Sequence, residues 1–343
     1  GEIIEVLGKP NDIDTEILAI LRSYNLYNSF PKRVEEVAKE MPESITKTDY
    51  PNRLDYTNNI VFTIDGEDTR DIDDAISIEI NSKGNRVLGV HIADVGEYVK
   101  RDSIIDKEAF KRGTSVYFPN LVLPMLPREL SNGICSLNPK EDRFTMAVEM
   151  LISPAGKVLD YEIHKGIMQS SYRMTYTKVT KILNGDKKLI AEYKEIVPML
   201  SLMAELAKIL ITRRDNAGNL DFDIPAPEIH LNEDGTVREI IRKPRDISDK
   251  VIEQFMVLTN EVVARHFDKM KVPFVYRIHE QPDAEKISNL LSMVNSFGVE
   301  HKIKADEVKP KEIQELLNDI KDKPCEYVSV KITIDKNSTK LEL

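Results

Sequence analysis

The chain has 343 residues, of which 41% are hydrophobic and 31% charged, and a formal net charge of −10. That length builds one large domain or two modest ones around a sizeable core, and the balance of residues excludes a disordered or fibrous protein. No apolar run reaches the ~20 residues of a membrane-spanning helix, and the acidic charge excludes binding to nucleic acid through net charge alone, although a local basic path stays open.

The N-terminal GEIIEVLGKP carries neither an initiator Met nor a signal-peptide pattern, which predicts the middle of a longer, cytoplasmic chain. Cys135 and Cys325 lie far apart and outside any C-x-x-C arrangement, so both read as reduced thiols, with Cys135 buried. Residues 1–8 alternate in polarity and predict one strand. Ile17, Leu18 and Leu21 predict a helix over 14–24 with Asp14 or Thr15 as its N-cap. PKRVEEVAKEM (31–41) predicts a second helix with Pro31 in its first turn. Neither helix is assigned any chemistry.

The organising stretch is VFTIDGEDTRDIDDAISIEI (61–80). Asp65, Asp71, Asp73 and Asp74 crowd together between two runs that read as strands, and Arg70 is the only cation of the intervening loop. Like charges at contact distance repel by roughly 4 kcal/mol at an effective dielectric of about 20. An acid-rich loop is ordinarily a solvated turn. Here the flanks are β-branched and apolar, which seats the loop ends on a half-buried sheet. Asp71 and Asp73 alternate with Ile72 at strand period and so face one way. The arrangement suggests a bound divalent cation, with Mg²⁺ favoured by oxygen-only ligands, and its spacing is not that of an EF-hand.

RVLGVHIADVGEYV (86–99) reads as a buried strand. His91 in it is a packed core imidazole rather than a ligand, because no second His stands at ligand spacing. Asp94 is open between a site role and a structural hydrogen bond. Residues 101–113 predict a short helix. VYFPNLVLPMLPREL (116–130) is too rich in proline for a helix and predicts an extended loop. Tyr117 in it is either a core plug or a stacking face for a base, worth roughly 1–3 kcal/mol. Arg128 meets either a phosphate or a neighbouring acid.

Residues 143–168 predict a hairpin turning at Pro154-Ala155-Gly156. SSYRMTYTKVTKILNG begins extended and becomes helical near Thr177. Residues 189–214 predict one long amphipathic helix kinked at Pro198. IHLNEDGTVREIIR (229–242) predicts a hairpin with an Asp-Gly turn. DKVIEQFMVLTNEVVARHFDKM (249–270) is a strong helix with Glu253 in its first turn, where a carboxylate suits the helix dipole. VPFVYRIHE predicts a strand, and two further helices follow. No internal repeat or low-complexity segment is present.

TIDGEDTRDIDDA resembles the active-site stretch of the ribonuclease II / ribonuclease R (RNB) exoribonucleases, with the ribonuclease R branch the best fit. GVHIADVGEYV (89–99), VYFPNLVLPMLPRELSNGICSLNP (116–139), SSYRMTYTKV (170–179), GNLDFDIPAPEI (218–229), DKVIEQFMVLTNE (249–261) and PFVYRIHEQPD (273–283) match in the family's order. The resemblance covers about residues 1–330. It implies a mixed α/β (α+β) catalytic domain, a curved mixed sheet flanked by helices around an RNA channel. Residues 1–10 would be the last strand of a preceding cold-shock/OB-type domain, 11–48 linker helices, 49–330 a partial RNB domain and 331–343 a divergent tail.

The implied reaction is 3′→5′ hydrolysis of single-stranded RNA to nucleoside 5′-monophosphates by a monomeric enzyme, with no membrane partner. Asp65, Asp71, Asp73 and Asp74 would hold Mg²⁺, and Asp73, with Asp71, would be catalytic. Tyr117 matches a tyrosine that packs on the 3′-terminal nucleotide, Tyr176 one near the RNA 3′ end, and Phe222 an aromatic that stacks on bases farther from the cut. Glu253 would accept a hydrogen bond from the terminal 2′-OH, and Arg128 is a further RNA-binding candidate.

The resemblance stops in KITIDKNSTKLEL (331–343). The family's S-P-I-R-R-Y-like motif, which carries an arginine that neutralises the scissile phosphate, does not occur, so the expectation is a truncated fragment of weak or no activity. Two alternatives stay open: a non-catalytic RNA 3′-end-binding module, and a structural divalent-ion module.

Overall fold

The computed structural model describes residues 2–10, 12–45, 50–119, 121–219, 227–232, 234–242, 245–279, 283–321 and 339–342. The chain forms two compact units, one of residues 1–203 and 225–252, the other of 204–224 and 253–343.

The first unit opens without the expected strand. Residues 2–9 form no ladder, and Ile3 and Ile4 are 84% and 95% exposed. Alternation alone does not hold a strand; it needs a neighbour to bond with, and no described segment pairs with this one. Glu5 is tied instead to Arg22, 2.7 Å away. Helix α1 (Ile13–Ser23) is capped by Asp12, earlier than expected, with the Asp12 carboxylate accepting from the Thr15 N–H at 3.0 Å. This leaves Asp14 and Glu16 in the first turn, where they complement the dipole. Helix α2 (Lys32–Lys39) follows Pro31 and buries Val34 and Ala38.

A mixed sheet dominates this unit. Strands β1 (Leu54–Asp55), β2 (Val61–Asp65), β3 (Asp74–Ile80) and β4 (Arg86–Ala93) come first. After α3 (Ile104–Arg112), β5 (Val116–Tyr117) and β6 (Val122–Leu123) make a separate short ribbon. A π-helical turn (Glu129–Ile134) then leads into β7 (Asp142–Ile152) and the long β8 (Val158–Thr175), joined by the expected turn with Gly156 at φ 75°. The first part of β8 pairs antiparallel with β7, and its last part pairs parallel with β1 and β2. Because β2–β3, β3–β4 and β4–β7 are antiparallel neighbours, the ladder runs round from β2 back to β8. Tyr56, Val61, Ile72, Ala75, Leu137, Ala147 and Met168 pack together in its core.

Thr175 N-caps α4 (Tyr176–Leu183), its hydroxyl accepting from the Lys178 N–H. The long kinked helix expected next is two helices, α5 (Lys187–Glu192) and α6 (Val197–Asn216). Pro198 is the second residue of α6. Proline lacks an N–H, and the first helical turn leaves its N–H groups unpaired anyway, so it starts a helix more easily than it bends one. Strands β9 (Pro227–Leu231) and β10 (Val237–Arg242) form the expected hairpin, with Gly235 at φ 80°.

Helix α7 (Ile247–Met270) starts before Asp249, so Glu253 stands beyond its first turn and the dipole account of that residue does not hold. In the second unit, β11 (Tyr276–His279) pairs antiparallel with β12 (Thr339–Glu342). Between them, α8 (Ala284–Ser296) and α9 (Pro310–Ile320) bury Ile287, Leu290, Leu291 and Val294 against Ile313, Leu316 and Ile320. Among the described residues no helix is long and apolar enough to cross a membrane.

Candidate active site

Asp65 ends β2 and Asp74 begins β3, so the hairpin itself sets the two carboxylates at its mouth. Residues 66–73 between them are not strand, contrary to the period-two reading of Asp71 and Asp73. The side-to-side division nevertheless survives, because Ile72 is fully buried in the sheet core. Its N–H donates to Ser136 Oγ at 3.1 Å and its carbonyl accepts from the Leu137 N–H at 2.9 Å. Ser136 Oγ in turn donates to the Arg70 carbonyl at 2.8 Å, and the Ala93 N–H donates to the Asp73 carbonyl at 2.9 Å. The acid loop is thus bolted down along one side and presents its carboxylates on the other.

A cation that the sequence reading did not single out completes the scaffold. Arg173 of β8 donates through Nη2 to the Glu67 carbonyl at 3.3 Å and to the Thr69 carbonyl. It arrives through the parallel pairing of β2 with β8, which sets Thr63 opposite Arg173 and Asp65 opposite Thr175. Arg70, the loop's own cation, is exposed. Arg173 lies inside the SSYRMTYTKV stretch, but only the strand register brings it to the loop.

One arginine does not balance these acids. Burial, then the charge of Asp74, pushes Asp65 up to about 6, against the opposing pull of Thr63 and Arg173. Burial, then Asp73, raises Asp74 to about 6. Asp73 is raised by its partial burial and by Asp71. Asp65 Oδ2 is buried and has no hydrogen-bond partner. Such an oxygen is costly unless something pairs with it. By donor type the cluster fits a hard divalent cation: it is oxygen-only, mutually repelling and under-bonded. Among the described residues, however, no three His, Cys, Asp or Glu side chains already stand as a metal-holding group.

Two tyrosines reach the cluster. Tyr117 in β5 is 64% exposed, and its hydroxyl donates to Asp71 Oδ2 at 3.0 Å. Tyr176, the first residue of α4, is pushed up to about 12 by burial and by the charges of Asp65, Asp74 and Asp249. The structure therefore brings Asp65, Asp71, Asp73, Asp74, Tyr117 and Tyr176 to one place. Arg128 is exposed just before the π-helical turn and makes no ion pair with a described residue. Phe222 and Cys325 lie outside the described residues. Glu253 belongs to the second unit, where Gln254 Nε2 donates to its Oε1 at 3.5 Å.

His91 is a core imidazole, edge-on to Tyr56 with ring centroids 4.8 Å apart, and burial drives it down to about 4. Asp94 is structural: its Oδ2 accepts from Arg53 Nη2 at 2.7 Å, and the same nitrogen donates to Glu97 Oε2 at 2.7 Å.

The model of the RNB domain matches residues 53–338 of the chain, and that of the cold shock domain matches residues 1–31. Ribonuclease R 1 of Lactococcus lactis is 41% identical over 328 residues, which is 96% of this chain and 40% of that protein. Mycoplasma genitalium RNase R in complex with ribose methylated single-stranded RNA aligns with a TM-score of 0.90 at 28% identity, over 98% of this chain and 53% of that one. The same RNase R in complex with double-stranded RNA gives a TM-score of 0.91 at 28% identity, over 98% and 60% of the two chains. The chain thus spans about 40% of the length of the curated relative it matches. With several family motifs in order and an RNB match over most of its length, the chain belongs to the RNB-domain family, among proteins of ribonuclease R type.

Proposed function

We propose that this chain carries the hydrolytic site of a 3′→5′ exoribonuclease that degrades single-stranded RNA to nucleoside 5′-monophosphates. The observation that carries the reading is the surplus of carboxylate on a pinned loop, with Asp65 Oδ2 buried and unpaired. Asp65 and Asp74 would hold Mg²⁺ directly, and Asp71 directly or through water. When bound, the ion polarises the phosphate and stabilises the leaving 3′-oxygen.

The chain's own groups do the rest. Asp73 accepts a hydrogen bond from the attacking water and orients it in line with the scissile bond. Tyr117 offers an exposed ring to the terminal base while its hydroxyl steadies Asp71. Tyr176 closes the cluster from the α4 side. Arg173 and Ser136 hold the loop so that the carboxylates need no reorganisation during the reaction. Arg128, Phe222 and Glu253 are read as RNA contacts, Glu253 through a 2′-OH. The RNase R structures in complex with single- and double-stranded RNA support RNA as the ligand. The enzyme is further read as a cytoplasmic monomer.

A second reading is an RNA 3′-end-binding module without turnover, and one observation favours it: Tyr117 presents an exposed ring whose hydroxyl is already bonded to Asp71, which would hold a strand's end whether or not cleavage follows. A single-stranded RNA labelled at its 5′ end decides between them. Stepwise shortening that requires Mg²⁺ and disappears in Asp73→Asn, with RNA affinity kept, is the expected result. Undiminished cleavage by Asp73→Asn removes that residue from the mechanism, and binding without shortening favours the second reading.

A further inference from the structure

A second pocket in the first unit has no part in the chemistry above. It is a cavity of about 440 Å³ between the end of α1, α3 and the β5/β6 ribbon, within the ~300–1,000 Å³ usual for small-molecule sites. Its distinctive lining is aromatic and cationic: Tyr24 and Tyr27, 72% and 53% exposed, together with Lys111 and Arg112.

The walls are braced by backbone and side-chain hydrogen bonds. α1 ends through Asn25 at φ 55°, and the Leu26 N–H turns back to the Leu21 carbonyl at 2.8 Å, which fixes the spacing of the two tyrosines. Arg112 is fully committed as a strut. Its Nε donates to Glu108 at 2.9 Å, Nη1 to the Tyr27 and Pro124 carbonyls at 3.3 Å each, and Nη2 to the Ser29 carbonyl at 2.6 Å. Glu108 is neutralised by that pairing. Lys111 has no carboxylate partner among the described residues; it stands over the Tyr27 ring, 5.2 Å from its centre, and Arg22 stands over the same ring at 5.9 Å. The cavity therefore presents the exposed Tyr24 ring, a positive charge with no carboxylate beside it and the side chains of Asn25 and Thr114 as hydrogen-bonding groups.

We infer that this cavity binds a nucleotide, with the base stacked on Tyr24 and the phosphate on Lys111. An exposed aromatic face beside a cation with no carboxylate partner is the arrangement that takes a π-system carrying an anion. The cavity sits back to back with the acid cluster. Val116 lines it, while Tyr117, the next residue of β5, donates to Asp71, and adjacent strand residues face opposite ways. A nucleotide here is either a free 5′-monophosphate or a residue of an RNA strand away from its reacting end. No acid-cluster residue is used, so this inference and the proposed nuclease reading fail in separate measurements.

The test is equilibrium binding of adenosine 5′-monophosphate and of a short oligoadenylate to the full chain, with EDTA present to prevent cleavage. Tyr24→Ala and Lys111→Ala are expected to weaken binding about tenfold or more, and Tyr24→Phe to leave it unchanged. Weakening with both probes assigns a mononucleotide pocket. Weakening with the oligomer alone assigns a strand contact. Ribose 5-phosphate, which lacks the ring, should bind more weakly than the monophosphate. The inference is overturned if neither probe binds the unaltered chain, if Lys111→Ala binds both normally, or if ribose 5-phosphate binds as well as the complete nucleotide. Lys111 is exposed and its truncation leaves the core intact, so the result does not depend on the folding of the Tyr24 variant.

Discussion

The first unit holds two knots of carboxylate that differ in one respect. Asp94 and Glu97 share Arg53, which is itself 5% exposed and lies 4.1 Å over the Phe144 ring. Burial works against the charged form of Glu97, but hydrogen bonds from Lys100 and Arg53 hold it below the usual carboxylate range. At Asp65 the pull of Thr63 and Arg173 does not offset burial and the charge of Asp74, Asp74 has no opposing cation, and both stand near 6. Both knots hang on the same sheet, and the Asp94 N–H and the Ala93 N–H are consecutive links to β7 and to the acid loop. The balanced knot is a structural joint. The unbalanced one is the cluster proposed to take a cation, and the charge deficit, not the number of acids, separates the two.

Neutralising single members breaks the comparison most sharply. Asp73→Asn is expected to slow RNA shortening roughly 10²–10⁴-fold, with little change in binding, as a time course on labelled RNA reads. Arg53→Ala strands two acids in the structural joint and is expected to cost roughly 3–5 kcal/mol of stability, seen as a lower denaturant midpoint. Arg173→Ala removes the clamp on the Glu67 and Thr69 carbonyls without touching a proposed ligand. It is expected to raise the Mg²⁺ needed for half-maximal cleavage about 10–100-fold, while Arg173→Lys recovers part of that. Tyr117→Phe has the smallest effect. It loses one exposed hydrogen bond to Asp71 but keeps the ring, so RNA affinity changes by less than about tenfold, whereas Tyr117→Ala loses the stacking term as well.

Much of this contrast was legible in the chain. The β-branched flanks of 61–80 foretold that the acid loop is seated on a sheet, and the crowding of Asp65, Asp71, Asp73 and Asp74 foretold the charge surplus. The motif order foretold the family. What the chain did not show depends on distant pairing. Arg173 meets the loop only because β8 lies parallel to β2, and Ser136 pins Ile72 from another segment. The strand expected at 1–8 failed for the same reason in reverse, since its pattern has no described partner. Asp94 was undecided in the sequence because Arg53, which settles its role, lies far from it along the chain. Pro198 was misplaced because proline marks a helix start as well as a kink, and local pattern does not separate the two.

The most direct measurement is the melting temperature as a function of Mg²⁺ at two pH values. In the metal-free chain Asp65 and Asp74 have folded values of about 6, above the ordinary 3.8. The folded state then holds the extra protons between about pH 4 and 6, so stability is lost as pH rises through that window. A cation that binds the ionised cluster restores it above the window. The account predicts a Mg²⁺-dependent rise in melting temperature that is large near neutral pH, small near pH ~5, and absent in Asp65→Asn and Asp74→Asn. A rise equal at both pH values, or unchanged in those variants, would contradict it.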